Sequence, residues 1–146
     1  MASLLTLTFS QPTRNLAPGE VLIAEGDPGG DIFVLESGRL VVERDGVAIA
    51  TIDEPGAMIG EMSVLLGRPN TATVRAERAS AVRVIRDAIA YLERQPLVAL
   101  RVAELLGRRL DTTSAALVEL QHGKGGTAPA PGIAQRLFAA LAGGRH

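Results

Sequence analysis

The chain has 146 residues, 47% of them hydrophobic but only 3% aromatic, so one domain-sized core must be built from Val, Ile, Leu and Ala. Its 16 acidic and 15 basic residues give a net charge of -1, without the basic excess that a duplex-binding protein uses to displace counterions. The absence of Cys excludes disulfides, thiolate nucleophiles and zinc–thiolate sites, and no apolar run of membrane-spanning length or export leader is present, so a cytoplasmic protein with no membrane partner is expected.

In chain order, Leu5, Leu7 and Phe9 alternate with Thr6 and Thr8, a period-two pattern that predicts a strand. Pro18-Gly19 predicts a turn, and residues 21–24 a strand. Residues 26–30 read Gly-Asp-Pro-Gly-Gly, a turn cluster. Strands are predicted over 32–35 and 40–43, separated at Ser37-Gly38. Asp45-Gly46 predicts a hairpin, because a type I′ turn requires positive φ at both central residues. Residues 47–52 return as the partner strand, and Pro55-Gly56 turns again. Short strands at this spacing predict an antiparallel barrel or sandwich. Residues 60–66 break the strand pattern as one or two helical turns inserted in the sheet, closed by Gly67 and Pro69. Strands resume over 71–76 and 81–85.

From Asp87 the period becomes helical. Asp87 is a candidate cap for a helix to about Arg94, and Pro96 separates it from a longer helix over 97–121. In that helix Ala99, Ala103, Leu106, Leu110, Thr113, Leu117 and Leu120 repeat as a heptad seam. Val98, Val102 and Leu105 lie on an adjacent face. One face is expected on the barrel and the seam on a second copy, giving a homodimer through 97–121; the alternative is one wide stripe buried within a monomer. Residues 122–132 read as a Gly/Pro linker. The tail 133–146 carries Ile133, Leu137, Phe138 and Leu141 on one side of a short helix that needs something to dock on, such as an unknown protein partner. Its helical part has one basic residue, Arg136, which makes it a poor membrane anchor.

The segment GEMSVLLGRPNTATV, residues 60–74, resembles the phosphate-binding cassette of the cyclic-nucleotide-binding domain family, which includes the bacterial catabolite activator protein, the regulatory subunits of protein kinase A and gated channels. Pro18-Gly19-Glu20, Glu25-Gly26-Asp27, Phe33-Val34-Leu35 with Ser37-Gly38, and Pro55-Gly56 fall where that family has its turns, so the resemblance covers about residues 17–120. It implies an α+β fold: an antiparallel β-roll or jelly-roll barrel over 1–96, with an inserted phosphate-binding helix and a long C-terminal helix of the same domain. The chemistry is legible in the residues. A helix starting at Gly60 leaves backbone N–H groups aimed at an anion, and glycine lets the backbone approach closely. The resemblance implies that Gly60, Met62 and Ser63 line this end, that Glu61 accepts hydrogen bonds from a sugar hydroxyl, and that Thr71 and Ala72 offer a hydroxyl and an N–H to the phosphate. Outside that context Glu61 reads as a solvated first-turn carboxylate.

Where the family has an Arg that pairs with the cyclic phosphate, this chain has Asn70. Asn donates a hydrogen bond but cannot neutralise charge, and losing one charged hydrogen bond weakens binding roughly ten- to a hundredfold. Arg68 stands two residues earlier, behind the stiff Pro69, and reads as a surface residue. On the far side, Thr113 and Ser114 resemble the pair that faces adenine in the catabolite activator, one hydroxyl coming from the dimer mate. The bland reading is that both relax the seam or bond to the preceding turn.

Enzyme readings find little support. A cupin-type metal site needs several barrel histidines, and the two present, His122 and His146, lie outside the strands; no Ser-His-Asp arrangement is suggested either. After the long helix the linker and tail leave no room for a recognition helix, so no nucleic-acid partner is expected. The expectation is a stand-alone, non-enzymatic cyclic-nucleotide-binding regulatory module that binds cAMP, or alternatively cGMP, without metal, and relays binding through its C-terminal helix. The alternative is a ligand-independent docking module that kept the fold and lost the nucleotide at Asn70.

Overall fold

The chain opens on a helix where alternating Leu5, Leu7 and Phe9 predict a strand. In the computed structural model, which describes residues 2–122, α1 spans Leu4–Leu7. The Ser3 hydroxyl accepts the Thr6 N–H, satisfying one donor that a helix start leaves open. The buried Thr8 hydroxyl donates to the Leu4 carbonyl. Leu4 is buried whereas Phe9 is 79% exposed, so a five-residue alternation did not mark a sheet face here.

Eight strands follow: β1 Thr13–Leu16, β2 Val21–Ile23, β3 Ile32–Ser37, β4 Leu40–Arg44, β5 Val47–Ile52, β6 Met58–Ile59, β7 Thr73–Ala76 and β8 Ser80–Ile85. They form two four-stranded antiparallel sheets, ordered β1-β8-β3-β6 and β2-β7-β4-β5, the expected β-roll. The sequence pattern predicts neither β1 nor β6. Three of the four β1 residues are exposed and carry no apolar period, and β6 is only two residues long. Asp45 and Gly46 have φ of 52° and 76°, the double positive φ expected between β4 and β5. Leu35, Leu40, Ala76 and Val82 are fully or almost fully buried in a core drawn from both sheets.

The helix α2 Glu61–Leu66 is inserted between β6 and β7 as predicted. After β8 come α3 Ala88–Arg94 and α4 Pro96–His122. Asp87 does not cap α3 with its side chain. It is left-handed, at φ 46°, and makes no side-chain cap bond. Instead its N–H donates to Asp31 Oδ1 at 3.0 Å, and the Ala88 N–H donates to the Gly30 carbonyl at 2.9 Å. The start of α3 is therefore held by the loop between β2 and β3.

The chain divides into two compact units, Met1–Arg101 and Val102–His146, with the boundary inside α4. In the first, Val98 is buried while Leu97 and Leu100 are exposed. In the second, Val102 and Leu117 are buried, whereas Ala103, Leu110, Thr113 and Leu120 are exposed. The seam is thus open at several positions and closed at Leu117. The predicted linker beyond His122 and the tail 133–146 lie outside the described residues.

Candidate functional site

Strand β6 delivers the chain to Gly60, which sits at φ 86° and ψ 1° as the start of α2. A Cβ there would lie 3.0 Å from the Asp31 carbonyl oxygen and 3.2 Å from Ile23 Cδ1. Backbone sign and crowding both demand glycine. Gly67 closes α2 in the left-handed region, its N–H on the Ser63 carbonyl, and the Arg68 N–H shares that acceptor at 3.1 Å.

Glu61 is 4% exposed. The solvated first-turn carboxylate that its sequence position allows is therefore not what the fold builds. A carboxylate inside the protein is expensive without compensation, and the N-terminal end of a helix is where negative charge is best tolerated. Ser63 is buried too, with its hydroxyl directed to the Pro69 carbonyl at 3.5 Å, whereas Met62 is 44% exposed. The loop between β2 and β3 is pressed onto this turn: a Cβ on Gly29 would come within 2.7 Å of Ser63 Cβ.

Asn70 is spent on the same loop. Its N–H donates to the Asp27 carbonyl at 2.9 Å, its carbonyl accepts the Gly26 N–H at 2.7 Å, and its side-chain amide donates to the Ala24 carbonyl at 3.4 Å. Thr71 beside it is exposed and Ala72 half-buried. The Thr71 carbonyl accepts a hydrogen bond from Arg44 Nε at 3.0 Å. Arg44, at the end of β4, is a neighbour of the cassette that sequence reasoning missed, because 27 residues separate the partners. Arg68 is exposed, as its surface reading expects.

The fold thus gathers Gly60, Glu61 and Ser63 around the start of α2 and returns the chain through Asn70, Thr71 and Ala72 into β7. A cleft of about 250 Å³ lies beside the cassette, lined by Arg14, Leu22, Asp27, Asp31, Phe33 and Asn70 among others, but by neither Glu61 nor Thr71. Thr113 and Ser114 belong to the second unit. The Thr113 hydroxyl donates to the Arg109 carbonyl one turn back at 2.8 Å, and Ser114 is half-buried. Among the described residues no group of His, Asp or Glu is placed to hold a metal ion, and no helix is long and apolar enough to cross a membrane.

The profile of the cyclic nucleotide-binding domain matches residues 13–91. Among curated proteins, the chain is 30% identical over 119 residues to a CRP-like cAMP-activated global transcriptional regulator of Mycobacterium tuberculosis, covering 74% of this chain and 53% of the relative. It is 47% identical over 60 residues to the acetyltransferase Pat of Mycolicibacterium smegmatis, covering 39% of this chain and 18% of that protein. The chain therefore spans from under a fifth to about half of these relatives. Among solved structures, the catabolite activator protein of Thermus thermophilus matches with a TM-score of 0.64 at 26% identity, over 96% of this chain and 76% of that one.

Proposed function

The chain belongs to the cyclic nucleotide-binding domain family, and from that premise we propose that it is a cytoplasmic regulatory sensor, without catalytic activity of its own, for cAMP or, failing that, cGMP. The observation that carries this reading is the buried Glu61 immediately after the left-handed Gly60. A carboxylate held at the start of the cassette helix is placed to accept a sugar hydroxyl. In this reading the backbone N–H groups from Gly60 to Ser63 and the Thr71 hydroxyl and Ala72 N–H take the phosphate. Thr113 and Ser114 take the base, with the Thr113 hydroxyl exchanging its bond to Arg109 for the nucleotide. The exposed Ala103, Leu110 and Leu120 support pairing of the helix with a second copy. Binding then shifts the C-terminal helix by the difference in nucleotide affinity between its two states. Residues 133–146 are proposed to meet a partner protein.

A second reading rests on Asn70. Its amide faces the Ala24 carbonyl and brings no charge to the phosphate, so the domain would be a docking module that no longer binds nucleotide. Titration calorimetry with cAMP and cGMP, on the unaltered chain and on Asn70→Arg, separates the two. The sensor reading expects binding by the unaltered chain, and a gain of about tenfold from the restored fork. Silence from the unaltered chain together with binding by the variant establishes the docking reading. Silence from both removes the nucleotide altogether.

A further inference from the structure

We propose that Arg44 supplies the positive charge for the cyclic phosphate that Asn70 cannot supply. The proposal rests on the nucleotide reading and names the residue that makes it workable without the usual Arg.

Sheet register brings Arg44 to the right place. Strands β4 and β7 pair with Leu40 opposite Ala76, Val41 opposite Arg75, Val42 opposite Val74 and Glu43 opposite Thr73. The ladder ends there, with Arg44 the last residue of β4 and Ala72, whose N–H is proposed for the phosphate, the residue just before β7. The side chain then turns onto the cassette, with Nε donating to the Thr71 carbonyl at 3.0 Å. That bond uses one of the five guanidinium N–H donors and leaves the Nη groups uncommitted among the described residues. It also polarises the Thr71–Ala72 peptide, which makes the Ala72 N–H a better donor.

Arg44 differs from its neighbours in what holds it. Arg14, Arg39, Arg75 and Arg83 each rest on a carboxylate, those of Glu20, Glu77, Glu43 and Glu36 respectively. Arg44 is held by a backbone carbonyl and makes no ion pair among the described residues. Of the carboxylates around it, Glu43 pairs with Arg75, and Glu25 accepts the Asp45 N–H at 3.2 Å. An exposed guanidinium with spare donors and no ion pair among the described residues, bonded to the loop that would carry a phosphate, is placed to take an anion. Arg68 is the basic residue within the cassette itself. It is exposed, sits before Pro69, and its backbone N–H donates to the Ser63 carbonyl within α2.

The test measures cAMP affinity for the unaltered chain, Arg44→Gln, Arg44→Lys and Arg68→Gln at low and high salt. Arg44→Gln should weaken binding about tenfold, the loss of one charged hydrogen bond, and should flatten the salt dependence. Arg44→Lys should recover part of the affinity, since it keeps charge but not the fork. Arg68→Gln should bind as the unaltered chain does. If the unaltered chain binds and Arg44→Gln binds equally well, Arg44 is not the cation and the sensor reading stands without it. If Arg44→Gln weakens binding by the same factor at every salt concentration, and Lys restores nothing, the residue only shapes the loop and the proposal fails. If the unaltered chain does not bind, both readings fall together.

Discussion

Strand β3 buries four residues in a row, Ile32, Phe33, Val34 and Leu35, whereas β5 in the other sheet leaves Val47, Ala48, Ile49, Ala50 and Thr51 exposed. A strand covered on both faces is scaffold. A strand open to solvent contributes little to the core, and its sheet is free to hold other things. That second sheet carries the Asp45-Gly46 hairpin, the Arg44 contact and β7, into which the cassette returns. The division separates stability from recognition: changes in the β3 sheet should act on folding, and changes around the cassette on binding.

The largest expected effect tests the scaffold half. Leu35 is fully buried at the centre of the core, so Leu35→Ala should cost about 3 kcal/mol. Ile49, 56% exposed on β5, should tolerate the same change within about 0.5 kcal/mol. Urea unfolding of both variants decides the matter. Comparable losses would mean that β5 is covered in solution, and the contrast between the sheets would disappear.

Next in size is Gly60→Ala, which probes the hinge between scaffold and cassette. An L-residue at φ 86° costs about 1–2 kcal/mol, and its Cβ would press on the Asp31 carbonyl 3.0 Å away. The expected result is a modest loss in urea midpoint together with a disproportionate loss of nucleotide affinity, because the start of α2 must move. A variant that loses stability but binds cAMP unchanged would show that this backbone position does not set the cassette.

These positions were legible for a local reason. Gly60, Gly67, Asp45-Gly46 and Pro55-Gly56 announce backbone signs and stops that hold whatever surrounds them. The cassette, the hairpin and most strands followed from them. What escaped depends on neighbours distant in sequence. Strand β1 exists because β8 and its partners hold Thr13, Arg14 and Asn15 in line, although none of the three is buried. Leu4 is buried in a helix that runs into the stretch, from Leu5 to Phe9, that reads as a strand. The left-handed Asp87 answers to Asp31 across 56 residues, and Arg44 answers to Thr71. Glu61 was legible as a candidate, but its burial was not, because a first-turn carboxylate has the same sequence whether wet or dry.

The smallest expected effect is also the one with a pH signature. Glu36 on β3 accepts the Thr13 hydroxyl at 2.7 Å and Arg83 Nε at 2.9 Å, while Arg83 Nη1 reaches the Leu5 carbonyl at 2.9 Å. The Glu36 carboxylate thus ties β1, β3 and β8 together, and Arg83 links them to the N-terminal helix. The Thr13 hydrogen bond, followed by the bond and charge of Arg83, holds the Glu36 carboxyl below the usual glutamate range against the opposing pull of burial. A carboxyl that titrates lower folded than unfolded stabilises the fold fully above its ordinary pKa, and that contribution is lost as the pH falls through the folded value. Glu36→Gln should therefore cost about 1 kcal/mol at neutral pH, a discounted figure because the pair is partly exposed to solvent. The gap between the two proteins should close as the solution is acidified below the normal carboxylate range, since a protonated Glu36 and the neutral amide that replaces it are then alike in charge. A gap that stays constant with pH would mean that the amide side chain disturbs packing and that the carboxylate charge contributes nothing, leaving the first sheet held by its apolar core alone.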